Sequence, residues 1–369
     1  MGSVVSRAYE ALVGYILGAR RNVLAVEWSD HASSEAVNPV DGTDAEHRLL
    51  DPAKVSSRLR LGREFVPVEG LDPSPPTHSF RIMQWNVLAQ ALGEGKDNFV
   101  CCRPADLTWA ARWPLILDEI VSYQPDLICL QEVDRYHDAF SPALNQLGYG
   151  GAFVPKRHSP CLDVQPNYGP DGCAIFYRKE RFELLGGYAI GLRAEPIPYP
   201  THQVLLVLKL CYVDTGHSLT VACTHLKARQ GWERLRAAQA KHLLTCLNSD
   251  QEAREGPLVV CGDFNAKPAE TVHQLFAASA LGLSSAYRKL SEDGQTEPPF
   301  TTWTVRAGGE TQATLDYIWY SQNALRVEQL LNLPSERDIG SGRLPSSTYP
   351  SDHLSLVCDF SFVGDTHAT

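Results

Sequence analysis

Several large classes are excluded by what the chain lacks. Its ten cysteines include no C-x-x-C pair, which removes the usual signatures of a disulfide scaffold or a zinc ribbon. No apolar run approaches the roughly 20 residues that span a bilayer. There is no G-x-x-x-x-G-K-[ST] loop for NTP-driven work. No serine or cysteine sits in a nucleophile context such as G-x-S-x-G, so a covalent intermediate is not expected. No repeat at solenoid spacing is visible. Positive charge is also short: 33 Lys and Arg stand against 43 Asp and Glu, a net charge of −10 over 369 residues. That balance is poor for holding long nucleic acid mainly through its phosphates.

What is present folds. Hydrophobic residues make up 44% of the chain, enough for one large domain or two ordinary ones. Cys129, Cys223, Cys261 and Cys358 lie inside apolar strand-like runs, where free thiols act as small hydrophobes. A reducing compartment follows, and the expected location is cytoplasmic. Met1-Gly2-Ser3-Val4-Val5-Ser6 matches the N-myristoylation pattern with Gly2 as acceptor. One acyl chain would give reversible membrane association. Residues 5–20 also suit an amphipathic helix with Arg7, Arg20 and Arg21 nearby, so a mitochondrial presequence is the rival reading. Residues 1–27 are therefore a targeting or myristoylated segment. Residues 28–79 are a largely irregular linker ending in Asp72-Pro73-Ser74-Pro75-Pro76, and the catalytic domain is expected over 80–362.

Within that domain the pattern predicts strands at Phe80–Asn86, Leu127–Asp134, Ala152–Lys156 and Cys173–Tyr177. Further strands are expected at Val204–Tyr212, Ser218–Thr224, Pro257–Val260, Phe300–Val305, Leu315–Tyr320 and Leu354–Phe360. Helical spacing runs through Leu107–Tyr123, Ser141–Leu147, Gly231–Asn248 and Val272–Ala280. Strand and helix alternate, so the fold class is α/β.

The central stretch is Pro257–Pro268, an apolar β-branched run that breaks at Gly262 and continues Asp263-Phe264-Asn265. Five more segments carry polar residues at strand ends or beginnings: Asn86, Glu132, His225, Asp316 and His353. Each has a plain explanation. Asn86 can cap a turn, Glu132 can be a solvated edge, and His225 or His353 can be satisfied core histidines. Asp316, inside Leu-Asp-Tyr-Ile-Trp-Tyr, is harder to dismiss, because a buried carboxylate needs a partner, and His353 is a candidate. In layered α/β proteins strand ends are where site residues converge. Glu132 offers a hard oxygen ligand for Mg²⁺. Asp263 is placed to orient or deprotonate water, and Asn265 and His225 can donate to phosphoryl oxygens. Asp316 would favour a charged His353. Together they describe metal-assisted phosphoester hydrolysis.

Met83-Gln84-Trp85-Asn86, Leu130-Gln131-Glu132-Val133, Thr224-His225-Leu226-Lys227, Gly262-Asp263-Phe264-Asn265, Leu315-Asp316-Tyr317 and Ser351-Asp352-His353 resemble, in this order, the exonuclease–endonuclease–phosphatase superfamily. The stretches Gln84–Val100, Ser159–Cys173 and Tyr349–Phe362 look like one subfamily within it. The resemblance implies a two-sheet sandwich flanked by helices, with two similar halves and a poorly structured N-terminal extension. It implies Glu132 as the Mg²⁺ ligand, Asp263 as the catalytic aspartate, and Asn86, His225, Asn265, Asp316 and His353 around the phosphate. Lys156, Arg229 and Arg306 occupy positions associated with the rest of a dinucleotide, and Lys227 stands beside them in Lys227-Ala228-Arg229; taken singly, each is more often a solvated surface charge. The implied activity is a monomeric, Mg²⁺-dependent 2′-phosphatase acting on NADP(H), with a link to daily rhythms and metabolism. The alternatives are a 3′-exonuclease trimming poly(A), with RNA as the less favoured partner, and a non-catalytic scaffold in RNA-regulatory complexes. Intact Glu132 and Asp263 argue against the scaffold.

Overall fold

The computed structural model describes residues 23–29, 61–68, 78–197 and 199–364. Gly2, the candidate helix at 5–20 and the proline run Asp72–Pro76 lie outside them. The strands of the first half are β1 (Val23–Leu24), β2 (Glu27–Trp28), β3 (Phe65–Pro67), β4 (Ser79–Asn86), β5 (Leu127–Val133), β6 (Tyr149–Pro155) and β7 (Gly172–Arg178). The chain continues with β8 (Phe182–Gly191), β9 (Val204–Tyr212), β10 (Ser218–His225), β11 (Leu258–Asp263) and β12 (Leu283–Ser285). It ends with β13 (Thr302–Arg306), β14 (Gly309–Ala313), β15 (Asp316–Ser321), β16 (Leu325–Leu331) and β17 (Leu356–Phe362).

Two mixed sheets form, in the orders β1-β8-β9-β10-β11-β15-β12 and β2-β6-β7-β5-β4-β17-β16-β3. Each contains a parallel pair, β10 with β11 and β4 with β5, and its other pairings are antiparallel. A parallel pair requires a crossover. The helices Glu233–Ser249 and Trp109–Tyr123 supply it in the two halves, so the halves are topologically alike. The inner faces pack on one another through Ile82, Leu127 and Ile175 from one sheet and Leu206, Val221 and Ile318 from the other. Cys129, Cys173, Cys223, Cys261 and Cys358 are fully buried in that layer. All ten cysteines are free thiols, as small core hydrophobes should be.

Several expectations need correction. The strand does not break at Gly262 but runs through it to Asp263. A Cβ on Gly262 would lie 2.5 Å from the Thr224 carbonyl oxygen of the neighbouring strand, so close approach demands glycine there. The helix expected from Leu107 is divided, with Pro104–Leu107 and Trp109–Tyr123 separated by extended Thr108. β8, β12, β14 and β16 were not expected. Gly186-Gly187 and a register shift interrupt the alternation of β8, and β14 is mostly exposed. Ahead of residue 80, within the segments expected as targeting sequence (1–27) and largely irregular linker (28–79), β1 and β2 lengthen the two sheets and β3 closes one edge.

Arg63, just ahead of β3, explains why that segment docks. Its guanidinium is buried, donates to the Ser355 carbonyl at 2.7 Å and to Glu119 Oε1 at 2.5 Å, and also bonds Ser355 Oγ. Arg63→Met should therefore strand a buried Glu119 carboxylate and cost about 3–5 kcal/mol by urea denaturation. Adding Glu119→Leu should restore most of the loss, and a single variant as stable as wild type would refute the docking role.

Candidate active site

Both parallel pairs end at the same edge of the sandwich. Register places Asn86 opposite Gln131 and His225 opposite Asp263, so four strand ends bring their polar residues together. A bulge between Leu130 and Val133 re-aims β5, and Glu132 adopts a left-handed backbone with φ 58°. Asn265, just beyond β11, is likewise left-handed at φ 50°. Such conformations concentrate at functional sites, where the surroundings over-determine them.

Asn86 is the hub. Its Nδ2 donates to Glu132 Oε1 at 3.1 Å and to Asp263 Oδ2 at 3.0 Å, while Oδ1 accepts from the Leu88 amide at 3.0 Å and so fixes which face points at the acids. Glu132 Oε2 also accepts from the Ala89 amide at 3.1 Å. On the other side, His353 Nδ1 lies 2.8 Å from Asp316 Oδ2 and its Nε2 3.8 Å from Asp263 Oδ2. Thr301 Oγ1 donates to the same Asp316 oxygen at 2.6 Å. Asn265 Nδ2 lies 3.0 Å from His225 Nε2 and donates to the Leu226 carbonyl at 3.1 Å.

The electrostatics divide the two histidines. Burial works against a charge on His353, but Asp316, Asp263 and Asp352 outweigh it and hold its pKa well above the usual imidazole value. Burial also acts on His225, and here the neighbouring cations Lys156, His353 and Lys227 reinforce it, so this ring stays neutral. Burial pushes the Asp263 carboxyl up to about 7; Asp316 adds to that, while the His353 charge opposes it.

Asp263, Asp316 and His353 have potential ligand atoms within 4.8 Å of one another. A charged imidazole shared between two aspartates is a poor metal ligand, so this cluster reads as a proton-holding chain. The half-buried Glu132 carboxylate, converging with Asp263 on one amide, better fits a hard cation that keeps most of its waters.

The flanking cations are placed unequally. Lys156 is buried, with Nζ 2.5 Å from Asp171 Oδ2 and 3.4 Å from His225 Nδ1. Arg306 is half-exposed and pairs with Asp352 at 2.6 Å. The Lys227 ammonium sits 5.5 Å from the Trp232 ring centroid. Arg229 is exposed on a left-handed backbone at φ 79°.

Three supporting residues were not anticipated. Arg112, fully buried, donates to the carbonyls of Val87, Leu88 and Pro350 and to Gln90 Oε1 at 2.5–2.7 Å. It thus ties the turn after Asn86 to the turn before His353. Its place on the buried helix face beside Ile116 and Glu119 was the available signal. Arg236, on the crossover helix Glu233–Ser249, is buried, pairs with Glu270 at 2.7 Å and donates to the Lys227 and Arg229 carbonyls. Asp171 anchors Lys156 and accepts from Ser159 Oγ.

A family model described as Endonuclease/Exonuclease/phosphatase family matches residues 83–353. The chain is 50% identical to Nocturnin of Xenopus laevis, covering 99% of this chain and 93% of that one. The structure of the human Nocturnin catalytic domain with bound sulfate anion superposes with a TM-score of 0.69 at 48% identity, covering 84% of this chain and 100% of the other. ANGEL2, described as a 2′,3′-cyclic phosphatase, gives a TM-score of 0.66 at 26% identity, covering 81% and 97%. The CCR4-Not complex 3′-5′-exoribonuclease subunit Ccr4 of Yarrowia lipolytica is 28% identical over 69% of this chain and 44% of its own length.

The split between the histidines is testable without substrate. In an NMR titration the His353 imidazole should remain charged well above pH 6.5 and His225 should remain neutral well below it. Asp316→Asn should bring the His353 transition down. Because the folded-state value of His353 is raised, its stabilising contribution is complete below about pH 6.5 and is lost as pH rises through the folded value. A His353 transition at or below the free-imidazole value would refute the assignment.

Proposed function

The chain belongs to the endonuclease/exonuclease/phosphatase family, and from that premise we propose that it is a Mg²⁺-dependent phosphatase removing the 2′-phosphate of NADP⁺ and NADPH. The observation that carries this reading is that two cations flank one compact acid–histidine centre, Lys156 beside His225 and Arg306 on Asp352. Two cations flanking a single hydrolytic centre suit a short, multiply charged molecule. The net charge of −10 does not favour an extended nucleic-acid track. ANGEL2 is described as a phosphatase of 2′,3′-cyclic substrates, which supports chemistry at a ribose phosphoester.

Asp263 takes the part of the base or water-orienting group. Its carboxylate is held by Asn86 and by the Asn265 amide, which donates to Oδ1 at 2.8 Å. His353, charged and locked through Nδ1 to Asp316, turns Nε2–H toward the side of Asp263 and donates to the phosphoryl group as charge develops. Asn265 and neutral His225 form the facing wall. A divalent cation on Glu132 would supply Lewis-acid polarisation of the phosphoryl oxygens. Poly(A) shortening is the second reading, favoured by the likeness to Ccr4 and by the Tyr199–Trp232 ring pair at 4.6 Å, a surface on which bases stack.

Phosphate release from NADPH and NADP⁺ should fall roughly 10²–10⁴-fold in Asp263→Ala without loss of the thermal unfolding transition. Glu132→Ala should behave alike, and EDTA should silence the wild type. Near-normal turnover in Asp263→Ala would remove the assigned role. Asp263-dependent shortening of poly(A), with no phosphate from either dinucleotide, would select the second reading.

A further inference from the structure

Along each inner strand every second residue faces the opposite sheet. On β4 those residues are Phe80, Ile82, Gln84 and Asn86, and on β5 they are Leu127, Cys129 and Gln131. From the other sheet come Val221, Cys223 and His225 on β10, with Asp316, Ile318 and Tyr320 on β15. Between the apolar layer and the residues of the centre lies a layer that belongs to neither. Gln84 and Gln131, both fully buried, occupy it. Their carboxamides close a ring: Gln84 Nε2 donates to Gln131 Oε1 at 2.6 Å, and Gln131 Nε2 donates to Gln84 Oε1 at 2.7 Å. Each amide keeps one more N–H, and both of these cross to the opposite sheet. Gln84 Nε2 reaches Asp316 Oδ1 at 3.5 Å, and Gln131 Nε2 reaches Cys223 Sγ at 3.2 Å.

A pair of amides is a costly way to fill that space. Two apolar side chains of the same size would leave no desolvated donors to satisfy. What the pair adds is a donor to an acid. Asp316 Oδ2 already accepts from Thr301 Oγ1 and holds His353 Nδ1, so Oδ1 is the oxygen that faces Gln84. An ionised carboxylate can only accept. Nε2 of Gln84 must therefore point at it, which sets Gln84 Oε1 against Gln131 Nε2 and fixes the orientation of both amides. At 3.5 Å the bond orients the acid more than it stabilises it. Gln131 is itself tied to the strand that carries Glu132. Its carbonyl accepts from the Val87 amide at 3.1 Å, and Cys223 Sγ donates to the neighbouring Leu130 carbonyl at 3.5 Å.

We propose that Gln84, locked by Gln131, is a positioning residue of the hydrolytic centre. It fixes the Asp316 carboxylate from the core side, and Asp316 thereby keeps His353 Nε2–H aimed at the reacting phosphate. Fully buried below Asn86, Gln84 is out of reach of any substrate and acts only through Asp316. The proposal rests on the phosphoester-hydrolase reading above and extends it one layer into the core. The aim of the donor to phosphate is then set across the sheet interface, with Gln84 on one sheet and Asp316 on the other. A small misplacement of such a donor is costly to rate.

The test compares Gln84→Met, Gln131→Met and the double variant, methionine matching glutamine in length. Each single variant strands one amide and should lower the Tm, whereas the double variant strands none and should recover most of it. Turnover should not recover. In Gln84→Met and in the double variant, kcat on NADP⁺ or oligoadenylate, whichever wild type cleaves, should fall about tenfold with KM within about twofold. Without substrate, the low-field proton NMR signal of His353 Nδ1–H should move in both. Recovery of kcat together with Tm in the double variant, or an unmoved His353 proton, overturns the positioning role. If wild type cleaves neither substrate, the functional reading fails and the proton signal alone decides. A displaced signal then keeps the hold of Gln84 on Asp316, and an unmoved one overturns it. Should the double variant not fold, Gln84→Asn, whose shorter amide cannot span both partners, is judged by the same two readouts.

Discussion

The structure depends on how four acids can be kept at one end of a β-sandwich. Glu132, Asp263, Asp316 and Asp352 converge there, and the last three are buried. Unpaired carboxylates in that position would take up protons or open the fold. The chain answers with fixed donors. Asn86 donates to Glu132 and Asp263, His353 pairs with Asp316 and faces Asp263, and Arg306 pairs with Asp352. Removing any one donor leaves a neighbouring acid uncompensated, so the site behaves as a network whose members are not independent.

The two parallel strand pairs make that network possible. Only a parallel pair sends two strands out at the same edge, and each sheet has one at its centre. The crossover helices do more than connect. Arg112 on one clamps the turns that present Asn86 and His353, and Arg236 on the other clamps the Lys227–Arg229 turn. Each half thus uses a buried guanidinium to satisfy carbonyls that irregular backbone leaves unpaired. The preference for arginine is physical, since its planar fork reaches several acceptors at once and keeps its charge when buried.

Much of this could be read from the sequence. Apolar runs ending in Asn86, Glu132, His225 and Asp263 marked the strands that matter, because a fully buried strand has a plain signature. Asp316 with His353 followed from the need of a buried acid for a partner. The missed strands β8, β12, β14 and β16 lack that signature: Gly186-Gly187 breaks the first, the second is three residues long, exposure removes the alternation in the third, and a bulge disturbs the fourth. Arg63 and Arg236 were illegible for a different reason, and Arg112 was marked only by its place on the buried face of its helix. A lone arginine reads as surface charge, and only tertiary structure reveals that its acceptors are backbone carbonyls and an acid far off in sequence.

The same division explains why hydrolytic chemistry was easier to infer than substrate. Groups that touch the reacting phosphate must come from rigid strand ends, and strands have periodicity. The cations that flank the centre sit on the connections or at their edges: Lys156 leads into the loop to β7, Lys227 and Arg229 follow β10, and Arg306 ends β13. Connections carry function without a repeating pattern. Their geometry is set by anchors such as Asp171, which closes the loop before β7 and fixes Lys156 and Ser159 at its start. The position of each flanking cation thus depends on a few polar contacts between residues apart in sequence, and contacts of that kind leave no periodic trace.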